Sequence, residues 1–374
     1  MKIAIIGCGY VADLYLQSMP IHPELELIAV YDRDAGRQRR FASFYKVPTV
    51  NSLDEIFHSE AELVLNLTNP RAHYEVSKAC IEAGKHVYCE KPLAMKFREA
   101  EELTELGTAR GLLVVSAPCN ILGESAQTMW KALRENVIGE VYAVYAEMND
   151  GLTHRMPYRS WFSKSGAPWP GKDEFEVGCT LEHSSYLLSL LCAVFGPAVS
   201  LTAFGSTTIK DKRTDEPLRV TAPDLSVTCV RFASGVVARL TCSIVAQYDH
   251  QVRVFGENGI LGTKESLDYR SPVWTRRMFN FRRRMIVSPW KKRFRLLGGR
   301  NPKIHNGGSS NMDYCRGPAE MVNSLNEKRP CRLSPQFSLH VNELALAIDE
   351  AREEGVCRRI TSTFDPIEPM PWAV

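Results

Sequence analysis

Lys2-Ile3-Ala4-Ile5-Ile6-Gly7-Cys8-Gly9-Tyr10-Val11-Ala12 opens the chain: an apolar run that breaks at a glycine-x-glycine step and resumes as a helical pattern. Each small residue has a physical reason. Gly7 permits a tight turn, Gly9 leaves no side chain between the backbone and an approaching group, and Ala12 lets the helix pack closely on the strand. The free N–H groups at the helix start, with the positive end of its dipole, suit a pyrophosphate. Asp32 closes the next apolar run, where a carboxylate can accept ribose hydroxyls. Gly7, Gly9, Tyr10, Val11, Ala12 and Asp32 therefore point to a bound dinucleotide. Asp32 would repel a 2′-phosphate, so NAD is expected; the adjacent Arg33 keeps NADP as the minority alternative.

Outward from this stretch, short apolar runs alternate with helical patterns. Residues 2–6, 25–31, 63–67, 86–89 and 112–116 read as strands buried on both faces, and 11–19, 35–45, 53–57, 72–83 and 98–109 as helices between them. This βα series predicts an α/β fold whose N-terminal part, residues 1–120, is a Rossmann dinucleotide-binding domain. After Pro118 the pattern changes. A helix at 122–136 and a strand at 141–148 lead into an irregular Gly/Pro/Trp-rich stretch at 150–173, then an apolar helix at 180–195. Strands at 199–204, 225–232, 236–245, 251–255 and 260–264, with turns at 233–235 and 257–259, predict an antiparallel sheet. Helices at 317–326 and 337–354 close a second domain of residues 121–374, and they are free to pack back on the first.

The length of 374 residues suits two domains at roughly 100 to 200 residues each. Hydrophobic residues at 44% and charged residues at 24% exclude a disordered, collagenous or coiled-coil chain. The net charge of +3 is uneven. No carboxylate lies between Asp268 and Asp313, whereas Arg270, Arg276, Arg277, Arg282, Arg283, Arg284, Lys291, Lys292, Arg293, Arg295, Arg300 and Lys303 do, so the rest of the chain is acidic. The 11 cysteines are scattered without a C-x-x-C pair, as expected of small buried hydrophobes in a reducing compartment. With no signal-peptide pattern and no apolar run near the ~20 residues that span a bilayer, a cytoplasmic protein is expected.

Thr68-Asn69-Pro70-Arg71-Ala72-His73 and Ala83-Gly84-Lys85-His86-Val87-Tyr88-Cys89-Glu90-Lys91-Pro92 both leave predicted strands at the ligand-binding edge. With Val137-Ile138-Gly139-Glu140-Val141, these stretches make the chain resemble the Gfo/Idh/MocA oxidoreductases, the family of glucose-fructose oxidoreductase and inositol 2-dehydrogenase. The resemblance implies a second α/β domain with a large open, mainly antiparallel sheet, and a homo-oligomer, dimer or tetramer. It further implies that Thr68, Asn69, Pro70, His73 and Glu90 face the dinucleotide, and that Lys91 reaches both nicotinamide and substrate. A lysine there can orient a hydroxyl or relay its proton while hydride moves.

The family's second catalytic element, a helix carrying D-x-G-x-H before F-G, is altered. Aligned on Phe195-Gly196, Glu182 stands at the aspartate and Tyr186 at the histidine, with His183 one turn earlier. Residues 182, 183 and 186 can share a helix face. Three readings stay open. Lys91 and Tyr186 do the acid/base work while Glu182 and His183 orient substrate; or His183 is the base; or the chemistry is lost. Tyr186, ordinarily near pKa 10, would need a cation beside it to act as a base, and Lys91 could serve.

Asn120 is either a cofactor and substrate contact or a helix cap. Arg159 and Trp161, in the irregular stretch, suit a sugar or an anionic group, or simply pack a loop. No metal is expected, because Glu182 and His183 have no second ligand pair. The basic 270–303 segment, interleaved with Trp274, Phe279, Phe281, Trp290 and Phe294, reads as a flap or oligomer contact, as recognition of an anionic ligand, or as a peripheral membrane contact; nucleic acid is discounted. The expected activity is hydride transfer between NAD and a secondary hydroxyl or ketone of a sugar or nucleotide sugar. The alternative is an NAD-bound protein without net redox output: a sensor, a scaffold, or an eliminase or epimerase acting through a transient keto sugar.

Overall fold

The computed structural model describes residues 1–220, 222–296 and 311–374. Its first half runs β1 (Lys2–Ile6), α1 (Tyr10–Ser18), β2 (Glu26–Tyr31), α2 (Ala35–Tyr45), α3 (Leu53–His58), β3 (Leu63–Asn66), α4 (His73–Glu82), β4 (His86–Cys89), α5 (Phe97–Ala109) and β5 (Val114–Ser116). The strands form a parallel sheet in the order β2-β1-β3-β4-β5. Ile3, Ile5, Leu63, Leu65 and Val87 are fully buried, as a sheet covered by helices on both faces demands. Because β1 has β2 on one side and β3 on the other, the chain order switches at the carboxyl end of β1. Ligands of such sheets bind at that switch, and Gly7 occupies it.

The second half contains α6 (Glu124–Arg134), β6 (Val141–Asn149), α7 (Gly171–Val177), α8 (Cys179–Phe195), β7 (Ala198–Ser206), β8 (Leu225–Phe232), β9 (Val237–Ser243), β10 (Val252–Gly256), β11 (Gly259–Thr263), β12 (Val273–Phe281), β13 (Arg284–Val287), β14 (Lys292–Phe294), α9 (Arg316–Glu327), α10 (Pro335–Asp349) and β15 (Val356–Arg359). Its ten-stranded sheet follows the order β13-β12-β11-β10-β6-β9-β8-β7-β15, with β14 paired to β12. Every pairing is antiparallel except β6 with β9. Ser226, Thr228, Val230 and Phe232 of β8 point inward between exposed neighbours, the period-two signature of a sheet covered on one face.

α8 and α10 cover that face. α10 begins at a Ser334 cap, whose hydroxyl accepts the Phe337 N–H with Pro335 in the first turn. It then binds the first half: Ser338 Oγ accepts the Ser116 N–H at 3.0 Å, and the Asn342 amide exchanges hydrogen bonds with the Ala94 backbone at 3.4 and 3.2 Å. One hydrophobic core runs through both halves.

Three departures from the sequence reading are informative. The basic segment forms β12, β13 and β14: Val273 and Thr275 turn inward while Trp274 and Arg276 turn outward, an alternation masked by the density of charge. Arg300 and Lys303 lie outside the described residues. α7 emerges from the stretch read as irregular. Finally, the last helix stops at Asp349 rather than at 354, and the chain turns to add β15 against the edge of β7. Nine of the cysteines are buried and all are free thiols. Among the described residues no single helix is long and apolar enough to cross a membrane.

Candidate active site

The loops leaving β1, β2, β3 and β4 converge with α7 and α8 on a cavity of about 670 Å³. Gly7 adopts φ +100°, and a Cβ there would stand 2.5 Å from the Leu67 carbonyl oxygen, so only glycine lets the turn pass under the neighbouring loop. A Cβ on Gly9 would meet no protein atom within 4 Å; the space above it belongs to the cavity. Gly9 also caps α1 without a side-chain acceptor, leaving the first helical N–H groups to a ligand. Ala12 is fully buried beneath, under the strand. Asp32 Oδ2 accepts the Cys8 N–H at 2.8 Å and Oδ1 the Asp34 N–H at 2.8 Å, which fixes the carboxylate on the cavity wall. These features fit a dinucleotide.

The β3 and β4 loops are pinned to each other. The buried His73 ring places Nδ1 2.6 Å from the Pro92 carbonyl and Nε2 3.0 Å from that of Thr68, and burial lowers its pKa. Glu90 accepts the Tyr15 hydroxyl at 2.7 Å and the Lys91 N–H at 3.1 Å. Lys91 is thereby aimed at α8, where its Nζ donates to Glu182 Oε2 at 2.5 Å. The Lys91–Pro92 bond is cis. Burial works against the Lys91 charge, but the Glu182 and Glu90 carboxylates outweigh it and raise its pKa. Lys91 is an ammonium.

The opposite wall depends on Gly178, at φ +91°, which joins α7 to α8 at a bend of 77°. The bend folds Glu174 of α7 back onto His183 of α8. His183 Nε2 binds Glu174, and its Nδ1 lies 3.1 Å from Asp150 Oδ2. Burial opposes the imidazolium, yet these two carboxylates raise its pKa to about 10. The protonated form of His183 is therefore favoured at neutrality. Tyr186 lies on the same helix face. Lys91 Nζ lies 5.9 Å from its ring centroid, but burial, Glu90 and Glu182 push the phenol well above its ordinary value.

Two family models match the sequence: one described as an oxidoreductase family with an NAD-binding Rossmann fold over residues 1–117, the other as the GFO/IDH/MocA C-terminal domain over residues 126–262. The chain belongs to the Gfo/Idh/MocA oxidoreductase family.

Among this family's relatives, an uncharacterized oxidoreductase of Synechocystis is 27% identical over 281 residues, covering 72% of this chain and 73% of that protein. The trans-1,2-dihydrobenzene-1,2-diol dehydrogenase of Bos taurus is 24% identical, covering 70% and 73%. A putative NADPH-dependent oxidoreductase from Desulfitobacterium hafniense superposes with a TM-score of 0.75 at 17% identity, covering 96% of this chain and 97% of that one. The WlbA dehydrogenase of Bordetella pertussis, solved with NADH and UDP-GlcNAcA, gives 0.73 at 18% identity, covering 96% and 98%. The protein is an NAD(P)-binding oxidoreductase.

Of the residues singled out in the sequence, Gly7, Gly9, Tyr10, Val11, Asp32, Arg33, Thr68, Asn69, Pro70, His73, Glu90, Lys91, Glu182, His183 and Tyr186 line this one cavity. Ala12 is buried beneath it, and three others do not reach it. Asn120 is buried behind α8, donating to the Tyr186 carbonyl at 3.0 Å and accepting from Ser189 at 3.2 Å; it fastens the helix, and α6 is capped by Gly123 instead. Arg159 is exposed, paired with Asp215 at 2.7 Å and stacked on Tyr158. Trp161 packs on Trp169, with ring centroids 5.1 Å apart, and it is Trp169 that reaches the cavity.

Arg37, Trp169, Asp173, Glu174 and Tyr314 also line the cavity without having been singled out. Pro170 followed by Asp173 and Glu174, acids in a first helical turn, was the available signal for α7. Arg37 and Tyr314 carried none, because their places depend on packing. Among the described residues of 270–295, none lines the cavity; Arg270, Arg293 and Arg295 instead border a separate cleft of about 270 Å³ beside Glu124.

Proposed function

We propose that the protein is an NAD-dependent oxidoreductase of a sugar or nucleotide sugar, interconverting a secondary hydroxyl and a ketone. One observation carries this reading: Lys91 of the first half and Glu182, His183 and Tyr186 of α8 share a cavity with the Gly7–Gly9 cradle and Asp32. Nucleotide-sugar binding is supported by the WlbA neighbour, whose dinucleotide and UDP-sugar lie in a chain of the same fold.

When bound, the nicotinamide gives or takes the hydride. Gly7, Gly9, Tyr10 and Val11 would hold its pyrophosphate, and Asp32 an adenosine ribose. Asp32 beside the cradle favours NAD, although Arg33 and Arg37 stand on the same wall. Lys91, ordered by Glu182, and Tyr186 orient the substrate oxygen by donating to it. With Lys91, Tyr186 and His183 all protonated near neutrality, the resting site is ready to supply a proton to a carbonyl oxygen. In the reduction these groups donate to the carbonyl oxygen; in the oxidation the same groups must accept the hydroxyl proton, so the oxidation rate should rise with pH as they deprotonate.

The test is direct. Purified protein is titrated with NADH and NADPH, then followed by absorbance with NAD+ plus UDP-N-acetylglucosamine, free sugars or inositols, and with NADH plus keto nucleotide sugars. Tighter NADH binding and turnover on at least one sugar are expected. Tight NADH binding with no turnover anywhere in the panel would move the protein to the sensor class.

A further inference from the structure

Behind the cavity, a row of partly buried ionisable side chains leads away from His183, and all of them beyond His183 lie outside the chemistry described so far. His183 binds Glu174 through Nε2, while its Nδ1 lies 3.1 Å from Asp150 Oδ2, an atom that makes no hydrogen bond. Asp150 Oδ1 is 3.0 Å from Nε2 of His250, a residue only 3% exposed. His250 Nδ1 is 3.0 Å from Glu265 Oε1, and Glu265 Oε2 accepts the Tyr248 hydroxyl at 2.5 Å. Tyr248 stacks on the His250 ring, with centroids 4.3 Å apart, and is itself 49% exposed. The members come from the end of β6, from α7 and α8, from the segment before β10 and from the end of β11, so the sheet ends assemble the row. Burying alternating carboxylates and imidazoles is costly, and a brace could be made of neutral amides.

We propose that Tyr248, Glu265, His250, Asp150 and His183 form a proton conduit that connects the cavity with the solvent beyond Tyr248. This proposal rests on the oxidoreductase reading of the same cavity. In ketone reduction the substrate oxygen gains a proton as its carbon gains hydride. The N–H of His183 breaks, the proton passes through the cavity-lining Glu174 carboxylate, and an O–H forms on the product. The row then returns a proton from solvent to His183, the Asp150 carboxylate turning to meet Nδ1 at the last hop: each hop breaks one N–H or O–H bond and forms the next, no electrons move along it, and each imidazole turns over to reset. Oxidation runs the row outward. Such a route matters when substrate and dinucleotide fill the cavity and separate His183 from bulk water.

The groups facing His183 are Glu174 from α7, Asp150 from β6, Lys91 from the β4 loop and Glu182 on its own helix; those facing His250 are Asp150, Glu265 and Tyr248. Burial opposes the His250 cation, but Asp150 and Glu265 raise its pKa to about 9. The two imidazoles favour their protonated forms, whereas Asp150 between them is held below the usual carboxylate range by His183 and His250.

His250→Gln, Glu265→Gln and the surface variant Tyr248→Phe in the full chain test the conduit. With UDP-N-acetylglucosamine and NAD+ as probe, steady-state turnover of His250→Gln and Glu265→Gln should fall about tenfold. Single-turnover hydride transfer should be nearly unchanged, the solvent deuterium isotope effect should grow, and millimolar imidazole should restore the rate. Equal loss in both regimes without rescue, or no loss in any variant, overturns the proposal. If the wild type does not turn over the probe, the oxidoreductase reading fails for that substrate, and the conduit is decided on the protein alone by ¹⁵N-histidine titration. The His183 resonance must shift its titration in His250→Gln; an unmoved titration rejects the row. Tyr248→Phe keeps the test available if a buried variant does not fold.

Discussion

The cavity wall supplied by the β1–β4 loops is built largely from backbone, whereas the wall supplied by α7 and α8 is built from charge. On the first wall, Gly7, Gly9 and the start of α1 act through the absence of side chains, and their spacing in the chain sets their spacing in space. On the second, Lys91 meets Glu182, His183 meets Glu174 and Asp150, and Asp150 meets His250, contacts that all but the Glu174 one draw from residues far apart in sequence. A cofactor cradle can be written locally; a set of tuned proton donors has to be assembled by the tertiary fold.

The sharpest way to break this contrast is to remove one contributor from each wall. Lys91→Ala should lower turnover by roughly 10²–10⁴-fold, the span of a positioned proton-handling group, while the dissociation constant for NADH changes little. A parallel loss of NADH affinity would show that Lys91 serves the cradle instead. Tyr186→Phe should lower turnover less than Lys91→Ala and leave folding intact, since Lys91 still holds the oxygen; unchanged turnover would remove Tyr186 from the chemistry.

The glycines separate fold from cofactor. Gly7→Ala puts a methyl 2.5 Å from the Leu67 carbonyl at a positive φ, so the melting temperature should fall by several degrees. Gly9→Ala meets no protein atom and should leave melting unchanged while weakening NADH binding by about tenfold. Similar melting losses in both would contradict the assignment of Gly9 to the ligand.

The charged wall makes a pH prediction. His183 is raised from 6.5 to about 10 in the folded protein, so its stabilisation is fully present below pH 6.5 and is lost as pH rises towards 10. Melting temperature should decline across that window, and His183→Gln should flatten the decline. A slope identical in the variant would assign it to other groups. The smallest effect belongs to the β12–β13 hairpin: Arg282→Gln, Arg283→Gln and Arg284→Gln together should change neither turnover nor NADH affinity, because none of the three lines the cavity. A change in the Michaelis constant would bring the hairpin into substrate binding.

The same contrast explains what could be read in advance. The five parallel strands and the helices between them were legible because apolar periodicity and glycine turns are local signals. Glu182, His183 and Tyr186 were legible as one helix face, but their protonation was not: it depends on Glu90, Glu174 and Asp150, which reach them through the fold. Arg159 and Asn120 misled for a related reason. Their chemistry suited a ligand, while their actual partners, Asp215 and the Tyr186 carbonyl, are set by tertiary packing. The strands β12 to β14 were hidden because charge dominates the composition of a segment whose inward positions are few.

The central claim is that these two walls make one working site. Its most direct measurement is NADH consumption at neutral pH by wild-type protein and by Lys91→Ala, with keto nucleotide sugars and after NADH affinity has been established for both. Turnover by the wild type, its loss in Lys91→Ala and equal NADH affinity in the two are the predicted results. Equal NADH affinity with equal turnover, or with none in the wild type on any sugar, would contradict it.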